Sequence, residues 1–196
     1  KLKWKLEPLA KEDFDRPGSE LTPENLAVIN FYQGVWSSNA KDRDAAIASF
    51  TEAIRLYPDY AAAYFWRGGL FHKKGDDDNA IQDLAQAILL KPKYANAYFS
   101  RGQIYFSKGD NDKAIRDFTK AILLQPEFVA AYFSRGNAYA KTGDNDSAIK
   151  DYTVCIRLFP KLPLAYSARG AIYARKGDQA KADADFARAK ELTPKK

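Results

Sequence analysis

Between residues 95 and 128 the apolar side chains fall into two runs. The first comprises Ala97, Tyr98, Ile104 and Tyr105, and the second Ala114, Ile115, Phe118, Ala121, Ile122 and Leu124. Steps of three and four residues put each run on one face of a helix, whereas a half-buried strand would alternate by two. Lys108, Gly109 and Asp110 separate the runs. Glycine suits the left-handed residue that ends a helix. The Asp110 carboxylate can accept the first free N–H groups of the next helix, and Pro126 stops that helix. The pattern predicts a helical hairpin.

The hairpin recurs. Gly34, Gly68, Gly102, Gly136 and Gly170 stand 34 residues apart, as do Pro58, Pro92, Pro126, Pro160 and Pro194. Ala46, Ala80, Ala114, Ala148 and Ala182 keep the same step. A fixed period of this length marks stacked repeats, each burying its apolar face against its neighbours. In the central copy Tyr98, Gly102, Tyr105, Ala114, Phe118, Ala121 and Pro126 resemble the landmarks of the tetratricopeptide repeat. Five copies cover residues 27–60, 61–94, 95–128, 129–162 and 163–196. The resemblance implies an all-α fold, a right-handed α–α superhelix of ten repeat helices whose first helices line a concave groove. The recurring Arg-Gly and Lys-Gly-Asp pieces resemble bacterial members.

Residues 1–26 are not a repeat. Lys1, Leu2, Lys3, Trp4, Lys5 and Leu6 alternate charged and apolar groups, an extended pattern. Trp4 is costly to leave in water. It covers the exposed end of the first hairpin, lies in a groove of its own or a neighbouring molecule, or is disordered or docked on something else. Arg16, Pro17, Gly18 and Ser19 read as a turn, and Thr22, Pro23 and Glu24 as a helix start. The first copy departs most from the pattern, with Asn30, Ser37 and Lys41 at landmark positions, as terminal repeats do. The fifth copy opens at Pro163. It has Asp183 and Lys190 where the others have isoleucine, which predicts that helix 179–192 turns a polar face to solvent and that no sixth copy follows.

Arg67, Arg101, Arg135 and Arg169 precede four of the repeat glycines, where the family usually has an apolar residue. Sixteen residues later stand Asp83, Asp117, Asp151 and Asp185. The first copy lacks both, with Gln33 and Ser49. This joint presence and absence predicts a bidentate pair between the two helices of a copy, a structural role that suits arginine.

Composition narrows the chemistry. The net charge is +6, and the last copy is the most basic, which favours acidic partners. Cys155 is the only cysteine. That excludes an internal disulfide and a cysteine-based metal site. It stands where other copies have alanine, so it reads as a small packed residue. Asp76 to Asp78, Asp110 to Asp112 and Asp144 to Asp146 lack the glycine and glutamate of a calcium loop and read as helix starts. No acid–base pair, activated nucleophile or phosphate loop is visible. The chain is expected to be non-enzymatic and to bind no cofactor or metal. It shows no signal peptide and no membrane-length apolar run. With no methionine, at position 1 included, it reads as a processed or trimmed form. The compartment stays open, cytoplasmic or exported with a targeting segment removed.

The resemblance maps the groove onto Phe31, Phe65, Phe99 and Phe133 in a column that gives way to Ser167. Trp66, Gln103 and Asn137 lie beside it, and His72, Phe106, Lys73, Lys141 and Arg175 at its mouth. Rigid aromatics offer contact area at low entropic cost, and amides can read a peptide backbone. The matching positions lack the Lys and Asn that grip a C-terminal carboxylate in one specialised family groove, which argues against chaperone tails. The leading expectation is a scaffold that binds a partner's peptide segment carrying apolar anchors and net acidity. Two alternatives are a single-stranded nucleic-acid binder, against which acids remain dense, and a structural module, monomeric or dimeric through residues 1–18.

Overall fold

The computed structural model describes residues 22–40 and 42–193. The expectations placed on Trp4, on the turn at 16–19, on Lys41 and on contacts through residues 1–18 lie outside them. The described residues form ten helices and no strand. In order they are α1 Pro23–Asn39, α2 Arg43–Leu56, α3 Ala61–Lys73, α4 Asp77–Leu90, α5 Ala95–Ser107, α6 Asn111–Leu124, α7 Val129–Thr142, α8 Asn145–Leu158, α9 Pro163–Arg175 and α10 Gln179–Leu192. Helix α1 starts at Pro23, four residues ahead of the first copy, with Thr22 as its cap, where the Thr22, Pro23 and Glu24 start signal lies.

The chain divides into two compact units, Lys1–Pro92 and Lys93–Lys196. The first holds hairpins α1/α2 and α3/α4, with α2 packed on α3. The second holds α5/α6, α7/α8 and α9/α10, with α6 packed on α7 and α8 on α9.

Each second helix starts the same way. The carboxylates of Asp42, Asp76, Asp110, Asp144 and Asp178 accept from the N–H of Ala45, Asn79, Lys113, Ser147 and Lys181. These bonds satisfy donors that a helix start leaves free. The preceding turn needs a left-handed residue, and Gly109 and Gly143 take it with φ of 81° and 85°. Thr22 caps α1 through Asn25.

Small residues let the helices approach. Ala46, Ala80, Ala114, Ala148 and Ala182 are fully buried, as are the rings of Phe50 and Phe118. A Cβ on Gly102 would lie 2.8 Å from the Phe118 ring, and one on Gly136 2.8 Å from the Tyr152 ring. In α10 the equivalent Phe186 is 40% exposed, and Asp183 and Lys190 face solvent. Glycine and alanine thus serve packing here, and the polar face of α10 is in place.

Cys155 is buried with its thiol 3.5 Å from the Val129 carbonyl. Burial and the nearby Asp151 charge push its pKa up to about 12. Burial, with Cys155 adding to it, also pushes Tyr152 up to about 12. Both groups stay protonated in the folded chain above the pH at which the unfolded chain releases those protons. The unfolded state then binds fewer protons, so stability falls as pH rises. Urea midpoints measured from pH 8 to 11 should decline from about pH 9, the usual thiol range, and Cys155→Ala should decline less steeply. Alkylation of Cys155 at pH 8 should follow global unfolding.

Candidate partner-binding site

The second unit brings several of the expected residues together. On α7, Ala130, Phe133, Asn137, Ala140 and Lys141 follow one another in steps that keep one stripe of the helix. The lower part of that stripe, with Phe106 of α5 and Arg175 of α9, borders an open cavity of about 510 Å³ lined by Phe106, Asn137, Ala140, Lys141 and Arg175. Four residues singled out in the sequence thus meet in one place.

Their chemistry is complementary to an anion. The Tyr152 hydroxyl on α8 donates to Asn137 Oδ1 at 2.7 Å. This bond holds the amide in place and leaves its NH₂ as a donor. Arg175 Nη1 donates to the Ala140 carbonyl at 3.2 Å, which covers one of the open carbonyls at the end of α7. No carboxylate pairs with Lys141 or Arg175 among the described residues. The lining carries two cations, one oriented amide and no acid, against the apolar wall of Phe106 and Ala140.

The other expected groove residues are placed differently. Phe99 is half-buried and packs on Phe118 and Phe128, at 5.8 and 4.8 Å between ring centres. Phe133 leans on Tyr152 at 5.7 Å. Gln103 is exposed on α5 and lines neither cavity. In the first unit Phe31 packs on Phe50 and Tyr60. Trp66, 38% exposed, stacks over Phe50, and Phe65 meets its edge. His72 contacts Asp77 at 2.6 Å, within its own hairpin.

One pocket was not foreseen. Val129, Ala130, Phe133, Phe159, Leu162 and Leu164 line an open pocket of about 430 Å³ on the same stripe of α7, toward its start. Of its lining, only Phe133 belongs to the groove expected from the sequence. Phe159 and Leu164 replace the polar or small residues of most copies, so the signal was a departure from the period.

The four arginines are each tied to an aspartate of their own hairpin. Arg67, Arg101, Arg135 and Arg169 each give two hydrogen bonds of 2.8–2.9 Å to Asp83, Asp117, Asp151 and Asp185. Those carboxylates are buried. Hydrogen bonding to its aspartate raises the pKa of Arg67, Arg101 and Arg169. At Arg135 burial opposes the rise, and the Asp151 hydrogen bond and charge outweigh it. Tyrosines flank the guanidinium planes, such as Tyr132 and Tyr139 around Arg135. Thr51, Thr119 and Thr153, in the preceding hairpins, accept a third bond from Arg67, Arg135 and Arg169 at 3.0 Å. These threonines also stand 16 residues from their arginines, a spacing the sequence carries but the Arg–Asp pattern alone does not point to.

Among the described residues no three His, Cys, Asp or Glu side chains group to hold a metal ion. No described helix is long and apolar enough to cross a membrane.

No curated protein sequence matches this chain. Among solved structures, MamA is 26% identical with a TM-score of 0.80, over 85% of this chain and 91% of that one. MamA from Desulfovibrio magneticus RS-1 is 18% identical with a TM-score of 0.80, over 86% and 95%. YrrB, described as a TPR protein with an unusual peptide-binding site, is 20% identical with a TM-score of 0.76, over 86% and 87%. The last two, at such identity, show the fold alone. A TPR repeat model matches residues 68–109, 102–143 and 136–177. Tetratricopeptide repeat models also match residues 164–196 and 30–60. With its period, its paired helices and these matches in agreement, the chain belongs to the tetratricopeptide repeat family.

Proposed function

We propose that this protein is a non-enzymatic scaffold that binds an acidic segment of a partner protein on the α5, α7 and α9 face of its second unit. One observation carries the reading. Three successive first helices converge on a cavity whose lining carries two cations with no carboxylate partner among the described residues, an amide held by Tyr152, and no acid. A carboxylate entering there gains charge-assisted hydrogen bonds, which are stronger than neutral ones. Phe99, Gln103 and Phe133 extend the contact surface in the second unit, and Phe31, Phe65 and Trp66 offer aromatic surface in the first. The fold supports protein interaction in general, and YrrB's described peptide-binding site is in keeping with this reading.

The test is selection from a random display library of 12-residue peptides, on wild type and on Lys141→Glu/Arg175→Glu. Both positions are exposed, so the variant should fold. Wild type should select peptides rich in Asp and Glu, bound more weakly at high salt, and the variant should bind them at least tenfold more weakly. Selection of basic peptides, or the same set by both proteins, would sink the reading. Tighter binding to single-stranded oligonucleotides than to any selected peptide would replace it with nucleic-acid recognition.

A further inference from the structure

We infer that the segment is read at two points by α7, an apolar side chain in the upper pocket and an acidic side chain in the lower cavity, with an extended backbone placing them three or four residues apart. The inference rests on the acidic-segment reading above and adds its sequence rule.

The two sites share one stripe of one helix. Ala130 and Phe133 wall the upper pocket, and Asn137, Ala140 and Lys141 wall the lower cavity. Their centres are seven or eight helical residues apart, roughly 11–12 Å at about 1.5 Å per residue. An extended chain covers about 3.3 Å per residue, so three or four residues bridge the gap. A helical ligand would need seven or eight.

The upper pocket has no polar residue in its lining. Phe159 and Leu164 are more than half exposed. Large apolar groups held open beside a polar site suit an occupant that covers them. The lower cavity supplies the sign of charge. The Arg175 bond to the Ala140 carbonyl covers a helix-end oxygen that would otherwise repel a carboxylate. A ligand with only one of the two groups would leave the apolar surface wet or the cations without a partner.

The test uses the full chain and capped ten-residue Gly/Ser peptides with one Leu and one Glu, separated by one to eight positions in either order. Binding is followed by NMR titration. Affinity should peak at three or four positions and exceed either single-residue peptide at least tenfold. Ala130→Trp, at an exposed helix position, places an indole against the upper pocket and should remove the gain from Leu while keeping that from Glu. Leu164→Asp should act likewise, and Lys141→Glu/Arg175→Glu should do the reverse. Affinity that follows acid content at every spacing and ignores Ala130→Trp would overturn the two-point rule and leave the acidic-segment reading standing. A peak at seven or eight positions would overturn the extended backbone. Failure of every acidic peptide to bind would remove both.

Discussion

Replacing Arg135 with alanine should destabilise the protein by about 3–5 kcal/mol, the usual cost of stranding a buried charge. Asp151 is only 4% exposed, and both its oxygens receive Arg135 at 2.8 Å. Without the guanidinium the carboxylate is left under packed helices. The same change frees the Thr119 hydroxyl from its 3.0 Å bond and removes the cation between Tyr132 and Tyr139. Arg135→Lys should recover part of the loss, because lysine keeps the charge but not the planar fork. The apolar double variant Arg135→Met/Asp151→Leu should cost much less than either alanine substitution, since no unpaired charge remains. Urea unfolding curves for the five proteins decide it. A loss below about 1 kcal/mol for Arg135→Ala would make the pair equivalent to an exposed surface bridge.

The Arg–Asp geometry shows why much of this fold was legible. Helix pairs, aspartate caps and glycine contacts repeat because each hairpin solves the same packing problem against its neighbours. The solution returns every 34 residues in the sequence. The proposed binding face obeys the opposite rule. Phe159 and Leu164 form a pocket because they differ from the residues at their positions in other copies, and Tyr152 can hold Asn137 because it carries a hydroxyl that Phe50 and Phe118 lack. A period brings out what is common to all copies and is silent about such exceptions. The aromatic column was legible as residues, but not the way Phe31, Phe99 and Phe133 divide themselves between packing and exposure. That division depends on partners such as Tyr60 and Phe128 in the turns between copies.

Glycine substitutions should separate packing from helix propensity, with opposite signs at two positions. Alanine is better than glycine in a helix by about 1 kcal/mol, and a Cβ on Gly69 meets nothing within 4 Å. Gly69→Ala should therefore stabilise. A Cβ on Gly102 would lie 2.8 and 2.9 Å from two Phe118 ring atoms and 3.2 Å from the Asp117 Cβ. Phe118 is fully buried, so relieving the contact requires its ring to shift inside the core. Overpacking of this kind costs about 1–3 kcal/mol, and Gly102→Ala should destabilise despite the gain in propensity. Phe118→Ala should cost more, about 3–5 kcal/mol, by leaving a cavity between α5, α6 and their neighbours. Phe118→Leu makes room for a methyl group beside residue 102. In that background Gly102→Ala should be neutral or stabilising, a coupling of at least about 1 kcal/mol between touching residues. Additive losses in the double variant would mean that Gly102 is needed for something other than the approach of the Phe118 ring. The physical claim would then fail at Gly34 and Gly136 as well, where the same ring position presses on the same missing Cβ.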